Sequence, residues 1–326
     1  MKISIYPSYK KSPFKGNPFI NNLYDCFPKE ANVHYVYGKN QVGLFHNLFC
    51  SKIYIMNWPE NVIFDTLGIL QVFVFLSFML ILLLRKAKFV WFFHNITPHE
   101  GHNLYSKFMY KFMLKHSSLI VTFSKEGERY LTGRTNAKIK YYPHPFKGNF
   151  KRKVLDQKEW DIYIWGSVNK YKGIVDFLSF LKQKGLSKYR ILITGKCSDA
   201  LYDTKIRSLL SDNIVYINDY IEMEDIIENI AKSSYVLFPY LHDSVSSSGA
   251  LMDSLEYGAQ VIGPNVGAFK DACSDNLCFA IESYDDIVNI IENRKCIDFN
   301  QISEFISNNT WDKFGNNIYI DLNKLG

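Results

Sequence analysis

FPYLHDSVSSSGALMDSLEYGAQVIGPNVG, residues 238–267, is the stretch whose reading decides the fold. It reads as a strand, a polar loop, a helix opened by Ser248 and Gly249, and a second strand from Gln260 to Gly263. A helix start of this kind suits an anion: its first N–H groups lack intrahelical acceptors, its dipole favours negative charge, and glycine lets a phosphate come close. One serine is enough for an ordinary cap, but here Ser246, Ser247 and Ser248 all precede the glycine. Gly258 follows at the position that ends helices. Asp253 and Glu256 lie within two turns, where a carboxylate can accept ribose hydroxyls. The stretch therefore suits a nucleoside diphosphate, and a nucleotide-sugar in particular.

Working outward, 326 residues exceed one small core and suggest two domains. A hydrophobic share of 47% with 21% charged residues is that of a globular chain, and a 16% aromatic share goes with wet–dry boundaries such as sugar sites or membrane surfaces. The net charge of +6 suits an anionic ligand or anionic lipid and does not call for nucleic acid. The six cysteines are scattered, with no CxxC pair and no histidine at metal-ligand spacing, so free thiols in a reducing cytosol are expected. The first residues, MKISIYP, enter a strand at once, which argues against a cleaved signal peptide.

Short apolar runs alternate with helical patterns along the whole chain, the mark of parallel sheets with crossover helices. In the first half, strands are expected near Lys2–Tyr6, Val33–Tyr37, Lys52–Asn57, Phe89–His94, Ser118–Phe123 and Ile139–Tyr142, and helices near Pro18–Phe27, Thr66–Arg85, Leu104–His116 and Lys125–Leu131. Pro143–Glu159 lacks periodicity and is the linker candidate, dividing the chain into 1–150 and 151–326. In the second half, strands are expected near Asp161–Trp165, Arg190–Thr194, Ile214–Ile217, Tyr235–Pro239 and Gln260–Gly263. Helices are expected near Gly173–Lys184, Ala200–Leu210, Glu222–Ala231, Gly249–Tyr257, Tyr284–Asn293 and Thr310–Leu325. The fold class is α/β: two Rossmann-like βαβ domains facing a cleft, with ligands outside the carboxyl ends of the strands.

Leu67–Leu84, LGILQVFVFLSFMLILLL, carries no charge and is just long enough to span a bilayer. Phe89–His94 directly after it reads as a core strand of the same sheet, and a true span would put two pieces of one sheet on opposite sides of the membrane. A very apolar crossover helix is the expectation, with an outer face able to touch lipid. In Ser106–His116, Lys107, Lys111 and Lys115 form a cationic stripe beside Phe108, Met109, Phe112 and Met113. Basic amphipathic helices lie on anionic membrane surfaces.

Four loops at expected strand ends carry chemistry. WGSVNKYKG, from Trp165, offers a turn at Gly166 and places Lys172 just before a helix, where it adds charge to a held diphosphate. FHNITPHEG, from Phe93, gathers His94, Asn95, His99 and Glu100, a set suited to sugar recognition or acid–base help and without the HExxH spacing of a zinc site. KGNPF holds Asn17, and NWPE sets Trp58 beside Glu60, a ring and a carboxylate suited to a sugar.

These pieces together resemble the bacterial GT-B glycosyltransferases, in particular the exopolysaccharide mannosyl- and glucosyltransferase group. GNPF, NWPE, FHNITPHE, TFSKEGERYL, YYPHPF, GSVNKYKG, the long stretch opened on above and the TWDKFGNNIYIDL tail occur in the expected order over nearly the whole chain. The resemblance implies acceptor binding by the first domain through Asn17, Trp58, Asn95 and His99. Donor binding by the second would use Gly166, Lys172, Ser247, Ser248, Gly249 and Asp253, with the base near Gly195 and Tyr220. It implies a UDP- or GDP-sugar donor, a glycolipid or lipid-linked glycan acceptor, no metal, and a place on the inner face of the cytoplasmic membrane. The last helix is expected to pack back on the first domain. His94, Glu100 and Glu60 are the candidates for the base in an inverting reaction. Val245 stands where many retaining members have the upstream glutamate of a pair, so the stereochemical course stays open. A nucleotide-sugar epimerase and a non-catalytic glycan-binding protein are the alternatives on the same fold.

Overall fold

The structure is a computed structural model that describes all residues other than 8–17, 36–47, 50, 65–67, 95, 97–102, 241–247 and 326. The chain divides into two compact units, Met1–Pro145 with Asn309–Gly326, and Phe146–Asn308.

The first unit is built on a six-stranded sheet. Its strands are β1 (Lys2–Tyr6), β2 (Asn32–Tyr35), β3 (Ile53–Asn57), β4 (Lys88–Phe93), β5 (Ser117–Thr122) and β6 (Lys138–Tyr141), in the order β2-β1-β3-β4-β5-β6. Every pairing is parallel, with Ile55 opposite Val90 and Phe92 opposite Val121. Successive side chains alternate between faces, and both faces of β3 and β4 are covered, which is why these strands read as unbroken apolar runs. Ile55, Val90, Phe92 and Val121 pack with α1 (Pro18–Asp25) and α12 (Trp311–Asn323). Tyr54, Met56, Phe89, Trp91 and Phe93 pack on the other face with α2 (Gly68–Leu84) and α3 (Leu104–His116).

Helix α2 connects the adjacent parallel strands β3 and β4, as a crossover helix does. It buries Phe75, Phe78, Met79 and Leu82, and it exposes Ile69, Leu70, Phe73, Leu80 and Leu84. Among the described residues no helix is long and apolar enough to cross a membrane. Helix α3 starts with a capping box: Asn103 Oδ1 accepts the Ser106 N–H at 2.7 Å and Ser106 Oγ accepts the Asn103 N–H at 3.0 Å. Its lysines 107, 111 and 115 are exposed. Helix α4 (Lys125–Leu131) is capped by Ser124. Helix α12 closes the unit: a Cβ on Gly315 would stand 1.8 Å from the Cys26 carbonyl oxygen, so only glycine admits this approach.

The second unit holds β7 (Trp160–Trp165), β8 (Ile191–Thr194), β9 (Ile214–Ile217), β10 (Ser233–Leu237), β11 (Val261–Pro264) and β12 (Phe279–Ile281), all parallel, in the order β12-β11-β10-β7-β8-β9. Helices α5 (Ile174–Gln183), α6 (Ala200–Arg207), α7 (Met223–Lys232), α8 (Gly249–Glu256), α9 (Gly267–Ser274), α10 (Tyr284–Glu292) and α11 (Phe299–Asn308) cover its two faces. Two parallel six-stranded sheets with interleaved helices make the chain a doubly wound α/β protein. Most element ends fall within two residues of the sequence reading. The exceptions are α6, which ends at Arg207 rather than Leu210, and β12, α9 and α11, which the sequence reading did not resolve.

Candidate functional site

In the second unit the chain runs from β7 out to β8 and β9, then returns to lay β10 beside β7. Such a reversal leaves a crevice at the carboxyl ends of the two strands. The loop after β7 passes through Gly166, at φ +96°, into a 3-10 turn over Lys170–Lys172, and Gly173 ends that turn in the left-handed region at φ +67°. A Cβ on Gly195, at φ +146° after β8, would lie 1.8 Å from the Gly166 carbonyl oxygen, so the two loops touch backbone to backbone. Lys172 Nζ sits 3.2 Å from where a Cβ on Gly166 would stand. Lys172 is only 9% exposed and joins no ion pair among the described residues, whereas Lys170 beside it pairs with Asp199 at 2.7 Å. Burial alone pushes the Lys172 ammonium down to about 8.

Helix α8 flanks the same crevice. Ser248 caps it, its Oγ accepting the Leu251 N–H at 3.2 Å. Gly249 opens the helix, and a Cβ there would meet nothing within 4 Å among the described residues. Leu251 apart, the amides of its first turn have no acceptor within the helix. Three contacts tie this helix and its loop to the β7 side. The Trp165 indole N–H donates to Ser254 Oγ at 3.0 Å, the Tyr171 and Tyr240 rings lie 6.1 Å apart, and the Tyr284 hydroxyl reaches the carbonyls of Gly173 and Pro239. Asp253 pairs with Lys147 at 3.4 Å, and burial outweighs that charge to raise its carboxyl above the usual range. Glu256 is buried, and its Oε1 accepts the Asn149 N–H at 3.0 Å. This holds the segment before β7 in place, so Glu256 is taken up within the fold. Tyr220, after β9, is 82% exposed.

In the first unit, chain order reverses between β1 and β3. Asn57 ends β3 fully buried and donates from Nδ2 to the Tyr6 carbonyl at 3.0 Å, across that reversal. Its Oδ1 lies 3.0 Å from His94 Nε2. His94 follows β4, is 4% exposed, and stacks on Trp58 (4.3 Å between centroids, 23° between planes) and on Phe123 (5.3 Å, 28°). Phe19 meets the imidazole edge-on at 4.9 Å. His144 packs against the same Phe19 and Phe123 and against Trp311. Its Nδ1 lies 3.2 Å from the Pro145 carbonyl, and burial drives it down to about 4, so it is a neutral ring.

Glu60 sits in a 3-10 turn over Pro59–Phe64 and is 5% exposed. Burial raises its carboxyl to about 7, and its Oε2 has no hydrogen-bond partner among the described residues. The sequence reading set Trp58 and Glu60 side by side as a ring and a carboxylate for a sugar. Instead Trp58 is half-buried with a face on His94, and Glu60 lies inside. Among the described residues no group of three or more histidine, cysteine or acidic side chains is placed to hold a metal ion.

No protein-family model and no curated protein sequence matches the chain. Solved structures do. HepE of Anabaena in complex with UDP-glucose superposes with a TM-score of 0.67 at 10% identity, over 99% of this chain and 100% of that one. Sucrose-phosphate synthase of Thermosynechococcus elongatus gives 0.68 at 11%, over 99% and 98%. AviGT4, a glycosyltransferase involved in avilamycin A biosynthesis, gives 0.60 at 12%, over 98% and 96%. The chain has the GT-B fold.

On this GT-B frame the candidates from the sequence fall into two groups at strand ends. Gly166, Lys172, Gly195, Ser248, Gly249 and Asp253 gather around the β7–β10 reversal and its neighbouring loop, with Tyr220 at the β9 end. His94, Trp58 and Glu60 lie at the ends of β3 and β4. Asn17, Asn95, His99, Glu100 and Ser247 lie outside the described residues. The sequence reading passed over Asn57, His144 and Lys147 as site residues. Asn57 stands in the NWPE motif and His144 in YYPHPF, both already singled out.

Proposed function

We propose that this GT-B chain is a glycosyltransferase that moves a hexose from a UDP-sugar to a hydroxyl of a lipid-linked glycan. The observation that carries the reading is Lys172: a buried ammonium with no ion pair among the described residues, at the strand-order reversal that also holds the open start of α8. A buried cation of this kind calls for an anion, and a diphosphate supplies one. HepE has been solved with UDP, with UDP-glucose, and with UDP and glucose, which supports uridine as the base and a hexose as the cargo.

In this reading the amides at Gly249 and the Lys172 ammonium hold the diphosphate, Asp253 takes the ribose hydroxyls, and the Gly195 turn and Tyr220 flank the base. The acceptor oxygen attacks the anomeric carbon, and its electron pair forms the new bond. The bond from that carbon to the phosphate oxygen breaks, and its pair leaves on the nucleoside diphosphate, where Lys172 and the helix amides meet the added charge. His94 takes the proton of the attacking hydroxyl. The exposed apolar face of α2 and the exposed lysines of α3 seat the protein on an anionic membrane, where a lipid-linked acceptor is found.

Calorimetry with UDP, GDP, ADP and CMP tests the donor, and nucleotide release from UDP-glucose with and without a glycolipid acceptor tests transfer. UDP binding with acceptor-dependent release is the expected result. Epimerised sugar from donor alone, or binding with no turnover for any acceptor, would replace the transferase by one of the alternatives.

A further inference from the structure

A cavity of about 440 Å³ opens in the second unit at the amino ends of β7, β10 and β11, the far end of these strands from the β7–β10 crevice. Helix α8 runs between the two. Gly249 opens it beside the crevice, and Tyr257 and Gly258, which follow its last turn, line the cavity. Arg152, Lys153, Lys158 and Arg294 line it too, and the acid in its wall, Asp161, is already paired with Arg190 at 3.1 Å. Helices α7, α8 and α10 end at this wall, each bringing about half a negative charge on its last carbonyls. Lys158 meets part of that charge, its ammonium donating to the Ala231 carbonyl at 2.6 Å. Arg152, Lys153 and Arg294 join no ion pair among the described residues, so a positive excess remains in the cavity.

Both arginines are held in place. The Arg152 stem lies against Gly258, where φ is +74° and a Cβ would stand 2.6 Å from the arginine Cγ. Its guanidinium lies over the Phe299 ring at 3.6 Å, which leaves the N–H groups at its edge for a ligand. Arg294 follows the Asn293 cap of α10 at φ +48°, a left-handed position where glycine is usual and any other side chain carries strain. Burial first, and the nearby Arg152 charge second, hold the Lys158 ammonium below its usual range. An anion between these cations relieves their repulsion. Ser234 and Tyr257 also line the cavity, and their hydroxyls make no hydrogen bond among the described residues.

We propose that this cavity is a second anion site, which takes a phosphate monoester of a small polyol: Arg152 and Arg294 hold the phosphate, and Ser234 and Tyr257 hydrogen-bond the polyol. A monoester carries about 1.5–2 negative charges at neutral pH, which suits the unpaired cations, and the planar fork of arginine binds its oxygens two at a time. The proposal is independent of the transferase reading, because the crevice assigned to the donor lies at the other end of the strands.

Cys296 supplies a reporter in the unaltered protein: it lines the cavity and is exposed, whereas Cys26, Cys197 and Cys278 are buried. Its alkylation by iodoacetamide, followed by mass spectrometry, is timed with glycerol 3-phosphate, inorganic phosphate, glycerol, or potassium chloride at matched ionic strength. Glycerol 3-phosphate should slow it saturably, roughly tenfold at ten times the midpoint concentration, as the unoccupied fraction falls. Inorganic phosphate should act only at higher concentration, and glycerol and chloride should have no effect. Equal protection by inorganic phosphate would overturn the monoester, and no protection, or equal protection by chloride, would overturn the site. Arg152→Gln and Arg294→Gln should each raise the midpoint roughly 10- to 100-fold, the scale of a lost charge-assisted hydrogen bond. Each midpoint is read within one variant, so a change in thiol reactivity cancels. Lys172→Met should leave the midpoint unmoved. Protection lost in Lys172→Met and kept in Arg152→Gln would put the phosphate in the donor crevice and overturn the proposal.

Discussion

Lys172 is buried in its ionised form with no counter-charge among the described residues, which has a cost in the free protein. Its folded-state pKa of about 8 lies below the unfolded value of 10.5, so the folded state disfavours the bound proton. The cost is fully present below pH 8, on the order of 3 kcal/mol, and is relieved as pH rises from 8 toward 10.5. Lys172→Met should therefore raise the melting temperature at pH 7 while abolishing nucleoside diphosphate binding. A diphosphate reverses the preference. UDP affinity should hold up to pH 8 and weaken steadily above it, and binding near pH 8 should take up protons. Calorimetry in buffers of different ionisation heat measures that uptake; an affinity level through pH 10 would remove Lys172 from the phosphate site. The sequence made this lysine visible as a charge before a helix but not its burial, which comes from the glycine loops packed around it. Asn57 was hidden for a similar reason. Its anchor, Tyr6, is 51 positions away, and only strand pairing brings the two together.

At the scale of the element, helix α8 and helix α12 give opposite predictions for a glycine. Among the described residues the Gly249 Cβ position is open, so Gly249→Val should fold with a melting temperature close to wild type. The added branches occupy the space a phosphate needs, and UDP binding should weaken by about 1–3 kcal/mol, the scale of lost hydrogen bonds to a charged group. Unchanged affinity by calorimetry would move the diphosphate elsewhere. Gly315, by contrast, faces the Cys26 carbonyl, and Gly315→Ala must push α12 away from α1. A loss of about 1–3 kcal/mol is expected in denaturant unfolding, with UDP binding by the second unit preserved. The long, periodic elements were legible because their apolar spacing fixes both type and face. Strand β12 escaped because three residues carry too little pattern, and α9 because GAFKDACS opens on glycine and is only eight residues long, despite Ala268 and Ala272. Helix α11 did carry the spacing, in Phe299, Ile302 and Ile306, and went unread.

For the molecule as a whole, the alternation of strand and helix was enough to place the chain among doubly wound proteins, since parallel strands require crossovers. The proposed membrane contact belongs to this scale too. Leu104 and Phe108 on α3, and Ile69, Phe73 and Leu84 on α2, stay exposed next to lysines 107, 111 and 115 in the sequence of one unit. Reversing the three lysines to glutamate should cut cosedimentation with phosphatidylserine vesicles by an order of magnitude or more, at about 1 kcal/mol per basic residue near such a surface. High salt should reproduce part of the loss. Vesicle binding indifferent to both would place the attraction outside α3. Helix α12 carries a further consequence. The ribosome delivers residues 1–145 first, but Phe19, Phe92 and Phe123 then lack the cover of Trp311 and Phe314. The second unit, complete by residue 308, is free to settle while its elder neighbour waits with an apolar flank open. The half that is translated first is thus the half that matures last, and through that interval it is a substrate for chaperones.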